Sequence, residues 1–177
     1  MPQQPDASYA PSVSIDDSKK YPVRLVGIDE QPSKFRDRRK DAMTLVHRFY
    51  VYDMDTGEAV LDDVSDEPYE QWLFTPDTTY DNPTSGKIAP AREVANALCG
   101  KRLSDQEVKD MIDSGWADAL VGKYAVADLE WYSTAEGNQR LKILRLKPYK
   151  PKAAAPAKPK AAPTRLPEGN DDDDTPF

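Results

Sequence analysis

The 177-residue chain has one cysteine, one histidine and no long apolar run. A lone Cys99 excludes an internal disulfide and leaves no zinc cluster. His47 stands without a motif partner, so a dyad with Cys99 would need an accident of folding. No stretch approaches the roughly 18–20 apolar residues that span a bilayer. The opening MPQQPDASYAPS lacks the basic start and apolar core of a secretory signal, so a soluble protein of a reducing compartment is expected. Positive charge is also short: 24 Lys and Arg face 31 Asp and Glu, a net charge of −7. That excludes a uniformly basic nucleic-acid coat but not a basic site on an acidic protein. No glycine-rich phosphate loop is present. Asp53-x-Asp55-x-Gly57 opens like a calcium loop, but Glu58 replaces the sharp-turn glycine and Val64 the bidentate glutamate. The expectation is a protein without metal, cofactor or catalytic activity.

Apolar residues make up 38% of the chain and charged residues 31%, a balance that leaves part of it outside any core. Proline marks which part, because four of the 16 lie in residues 1–22 and seven in 148–177. Four segments are expected: a disordered arm (1–20), a folded domain (21–148), a Pro/Ala/Lys-rich linker (149–170) and an acidic tip (171–177). The chain from Pro148 onward carries five cations and five acids, so the whole acidic excess belongs to residues 1–147.

Within the domain, Tyr21–Ile28 has strand composition and Thr44–Tyr52 alternates most clearly. Leu45, His47, Phe49 and Val51 share one face, and Val46, Arg48, Tyr50 and Tyr52 the other. Asp55-Thr56-Gly57 supplies a turn with 58–61 as return strand, and Glu70–Thr75 is a further strand. Pro90 opens a helix over Ala91–Cys99 that Gly100 stops. Ser104-x-x-Glu107 is a capping box for a second helix ended by Gly115. Residues 122–132 and 139–147 are the last strands, joined by a turn at Glu136-Gly137-Asn138. Ile143 and Leu144 break the alternation, so a bulge is expected there, turning Arg140, Lys142, Arg145 and Lys147 to solvent. No internal repeat is evident. This order is that of an all-β domain with a helical insert, like the five-stranded Greek-key OB barrel. An SH3-like barrel or an α+β sheet shares much of the pattern.

The tail spaces a distinctive end, Asp171-Asp172-Asp173-Asp174-Thr175-Pro176-Phe177. A terminal ring, a free carboxylate and a run of acids form a compact peptide ligand. Asp172, Asp173, Asp174, Pro176 and Phe177 match the acidic tip of bacterial single-stranded DNA-binding proteins, which the chain resembles; Thr175 stands where that family commonly has Ile. Strand order adds to the resemblance, and a phage-encoded member fits it best. The resemblance implies an OB-fold that binds single-stranded DNA, in a bacterial or phage-infected cytoplasm. It also implies that Asp171–Asp174, Pro176 and Phe177 recruit replication, recombination or repair proteins. A homo-oligomer is compatible with it.

Sequence-tolerant binding of single strands needs cations along the backbone and aromatic faces for the bases. Lys34, Phe35, Arg36, Arg38, Arg39 and Lys40 crowd one loop. Arg48, Tyr50 and Tyr52 share a strand face, with Leu45 and Phe49 turned inward; the reverse orientation is the alternative. Trp72 and Phe74 suit either the core or stacking, while Trp116 and Trp131 read as packing residues. Arg140 and Lys142 add charge on the last strand. Two rival expectations are a replisome adaptor that binds protein instead of DNA and an acidic DNA mimic.

Overall fold

The computed structural model describes residues 13–33, 43–79, 84 and 86–150. The basic loop of 34–40 and the acidic tip of 171–177 lie outside the described residues. Five strands form one antiparallel sheet: β1 (Lys20–Pro32), β2 (Met43–Val51), β3 (Glu70–Pro76), β4 (Tyr124–Ser133) and β5 (Gln139–Pro148). Helices α1 (Pro90–Cys99), α2 (Asp105–Ser114) and α3 (Trp116–Leu120) lie between β3 and β4. The spatial order is β3-β2-β1-β4-β5, so the sheet is open and β3 and β5 are its edges. The edges nevertheless approach each other, and α1 packs against both. Gln71 of β3 reaches across to donate its Nε2–H to the Leu141 carbonyl of β5 at 3.1 Å.

Period-two alternation sets the layers. Val23 and Leu25 of β1, Phe49 and Val51 of β2, and Ala125, Ala127 and Leu129 of β4 turn inward. Val94, Ala95 and Leu98 of α1 with Val108 of α2 close over them, burying the stripe of each helix. The expected helix ends are present. Gly100 takes the left-handed conformation at φ 70°, and Ser104 and Glu107 exchange both capping-box hydrogen bonds. Arg92, 4% exposed, ties α1 to α2 through Asp105 Oδ1 (2.7 Å) and the Leu103 carbonyl (2.5 Å).

The bulge in β5 occurs at the two adjacent apolar residues. Asp128 faces Arg145 and Leu129 faces Ile143, so Leu144 is extra and stands exposed. A second bulge lies in β1, where the pairs Leu25–Phe49 and Gly27–Arg48 leave Val26 over. Sequence reasoning ended this strand at Ile28, but it continues to Pro32 against Met43. The return strand at 58–61 is reduced to single bridges, Tyr52 to Ala59 and Leu61 to Pro68.

Two of its features went unseen in the sequence. Asp53 Oδ1 accepts from the amides of Asp55 and Thr56, and Asp62 Oδ1 accepts from those of Val64 and Ser65. The same turn is thus built twice, with Gly57 (φ 72°) and Asp66 (φ 57°) at matching places. The folded chain also begins before Tyr21. Val13 and Ile15, inside the expected arm, are buried, and Trp131 Nε1–H donates to the Ile15 carbonyl at 2.9 Å.

Candidate nucleic-acid interface

The face of the sheet opposite the core gathers the predicted strand residues in rows. Phe74, Val46 and Asp29 stand side by side across β3, β2 and β1, followed by Trp72, Arg48 and Gly27. In the next row Glu70, Tyr50, Arg24 and Tyr124 run across β3, β2, β1 and β4. Lys147 and Arg145 continue the face on β5, opposite Val126 and Asp128; Lys142 and Arg140 follow, opposite Glu130 and Tyr132.

Leu45, Phe49 and Val51 are buried, which leaves Arg48 and Tyr50 on the outer face as expected. Trp72 and Phe74 also turn outward, so the core alternative does not hold for them. Phe74 is 52% exposed and meets Trp72 edge-on at 6.2 Å. Trp72 donates its Nε1–H to Glu70 Oε1 at 2.6 Å, which fixes the ring in the face.

Of the predicted outer-face residues, one is buried and two are held by carboxylates. Tyr52 lies on this face but is fully buried, its ring 6.1 Å from that of Tyr124, so it offers no open surface for a base. Burial, then the neighbouring Tyr124, pushes its hydroxyl up to about 12, although Arg24 pulls the other way. Arg48 is present but matched. Its guanidinium lies over Gly27, where a Cβ would collide with it, with Nε 2.8 Å from Asp29 Oδ2 and Nη1 3.5 Å from Glu70 Oε2. Lys142 is matched by Glu130 at 2.7 Å while its ammonium sits 5.3 Å over the Tyr132 ring. Arg140 is half-buried opposite Tyr132.

Sequence reasoning missed Arg24, Tyr124 and Tyr149. Tyr124 stacks obliquely on Tyr149 at 5.8 Å, and Arg24 stands between Tyr50 and Tyr124 in the strand pairing. Alternation along β1 was available as a signal, but nothing in sequence order joins residues 24, 52, 124 and 149.

Charge is segregated along the chain. Residues 49–86 contain ten acids and no Lys or Arg, and most of these acids lie in the paired turns between β2 and β3. The cations of the outer face come from β1, β2 and β5.

At the open edge a cleft of about 740 Å³ runs between β3 and β5 above α1. Leu73, Phe74, Val94, Ala97, Leu144 and Leu146 supply its apolar walls, and Arg102 and Arg145 reach it as well.

His47, at the inner face, is fully buried, with Nδ1 3.2 Å from the Leu73 carbonyl. A carbonyl only accepts, so Nδ1 carries the proton and Nε2 is left without a hydrogen-bond partner. Among the described residues no group of three or more His, Cys, Asp or Glu is placed to hold a metal, and no helix is long and apolar enough to cross a membrane. No protein-family model matches the chain, and no curated protein matches it.

Proposed function

We propose that the protein binds single-stranded DNA, without catalysis, across the outer face of β3, β2, β1 and β4. The observation that carries this is the placement of Trp72, Phe74 and Tyr50 on one solvent-facing surface beside Arg24 and Tyr124. Aromatic faces accept any base, and each stacked base is worth roughly 1–3 kcal/mol, which is what sequence-tolerant binding requires. The strand order supports an OB-type domain: β1 pairs with β2 and with β4, helices separate β3 from β4, and β3 approaches β5 where a barrel would close. In this proposal the cations and the aromatic ring of residues 34–40 also take part in binding the strand. The tip, Asp171–Asp174 with Pro176 and Phe177, recruits enzymes of replication, recombination or repair. A bacterial or phage-infected cytoplasm is the setting, and self-association is compatible with it.

The test is quenching of tryptophan and tyrosine fluorescence by oligo-dT over a salt series. Binding that weakens steeply with salt, with the quench lost in Trp72→Phe, supports the proposal. Absence of salt-dependent binding to any single strand would overturn it. That result would favour a second reading, a protein-binding adaptor, for which the apolar cleft between β3 and β5 is the specific support.

A further inference from the structure

We propose that Arg24 and the tyrosines around it form a discrete phosphodiester-binding site, one that seats a backbone phosphate of the bound strand between Tyr50 and Tyr124. The inference rests on the nucleic-acid reading and adds to it the residue that grips the backbone.

The cations of this face are not equivalent. Arg48 is held by Asp29 and Glu70, and Lys142 by Glu130, so each already has its counter-charge. Arg24 makes no ion pair with any described carboxylate; its neighbours are phenols. Tyr50 and Tyr124 are its cross-strand partners, and it acts electrostatically on the hydroxyls of both Tyr52 and Tyr124. Its Nη2 lies over Gly122, 3.6 Å from where a Cβ would stand. Its Nε is buried and has no hydrogen-bond partner.

An arginine recognises phosphate through a fork of parallel N–H groups, and no described carboxylate already occupies the guanidinium of Arg24. A buried guanidinium donor without an acceptor is costly, and a small turn of this half-buried side chain toward an anionic oxygen at the surface removes that cost. The surroundings suit a phosphodiester in particular. Tyrosine hydroxyls can donate to its second oxygen, and Tyr50 on one neighbouring strand and the Tyr124–Tyr149 pair on the other offer rings to the two adjoining nucleosides.

The experiment compares the full chain with Arg24→Gln and Arg24→Lys in oligo-dT titrations over a salt series, with thermal unfolding of each in parallel. Arg24→Gln should bind about tenfold more weakly, in line with the loss of a charge-assisted hydrogen bond. The slope of log affinity against log salt should shrink by about 0.7, the increment for one single-strand phosphate. Arg24→Lys keeps the charge and loses the fork, so it should restore the slope and only part of the affinity. In the wild-type chain the arginine Nε–H NMR signal absent from Arg24→Lys should shift when oligo-dT is added. Unchanged affinity and slope in Arg24→Gln, or an Nε–H signal indifferent to oligo-dT, would overturn the site. If Arg24→Gln fails to fold, the lysine variant and the NMR signal decide. A wild-type chain that binds no oligo-dT fails the nucleic-acid reading itself, an outcome distinct from failure at Arg24 alone.

Discussion

His47 ties folding stability to pH in a window that the carboxylates do not share. Its imidazole is fully buried beside Phe49, the ring centroids 6.5 Å apart. Burial lowers its pKa from 6.5 to about 4, outweighing the opposing hydrogen bond to the Leu73 carbonyl. The unfolded chain therefore takes up this proton below pH 6.5 while the folded chain stays neutral until about pH 4. The contribution is fully present above pH 6.5, declines as pH falls through the interval and is gone below about 4. At 1.36 kcal/mol for each pKa unit, the full span corresponds to about 3 kcal/mol. That is a large part of the 5–15 kcal/mol typical of a domain. The lowered carboxylates act further down. Glu107, for example, is held at about 2 by Lys101 and the Ser104 cap, and what it contributes is lost only as pH falls from about 4.5. Urea unfolding of the wild type and of His47→Leu, at intervals between pH 7.5 and 4.5, isolates the effect. The wild type should lose stability steadily across the window, and the variant should be nearly flat. Parallel curves for the two proteins would refute the reasoning, whatever their absolute stabilities.

Two further substitutions test the local physics. Asp66→Gly should stabilise the protein by about 0.5–1 kcal/mol in denaturant unfolding, because φ 57° is left-handed backbone and the matching turn uses Gly57; a loss of stability would show that the Asp66 side chain outweighs the strain. Arg92→Ala should cost about 2 kcal/mol, since it strips the buried Leu103 carbonyl of its guanidinium donor and leaves a void between α1 and α2; a thermal midpoint unchanged from wild type would count against that link.

What the sequence shows well is what repeats at short range. The face assignment along Thr44–Tyr52 follows from period two, and the β5 bulge follows from Ile143 and Leu144 being adjacent. The capping box is legible because its two partners are three residues apart. What it hides depends on register or on distant chain. Arg48 is neutralised because pairing brings Asp29 and Glu70 to either side of it, and a one-residue slip would put other side chains there. Tyr52 is buried by a tyrosine 72 residues further on. Val13 and Ile15 look like isolated apolar residues in a polar arm, and only the reach of Trp131 to the Ile15 carbonyl shows that they dock. The seam between β3 and β5 is likewise invisible in strand order, because closure depends on whether two edges meet in ladder or only through a side chain such as Gln71.

The net charge of −7 makes distribution the deciding quantity for binding a polyanion. Most of the ten acids of residues 49–86 sit in the paired turns, where Asp53 and Asp62 spend a carboxylate oxygen on backbone amides. That use gives the turns their shape and keeps the acids on one connection instead of along the strands. On the sheet face itself, Asp29, Glu70 and Glu130 each stand against a cation, so they cancel the charge of Arg48 and Lys142. A phosphate crossing this face would therefore meet a field near neutral at β2 and an unmatched guanidinium at β1. In the proposed function, aromatic contact would then supply most of the affinity and Arg24 the point attraction. Salt dependence divides the same way: across β3, β2 and β1 the slope should be shallow with Arg24 its main part, and any steeper dependence measured on the full chain must come from cations beyond those strands, Lys147 and Arg145 of β5 among them.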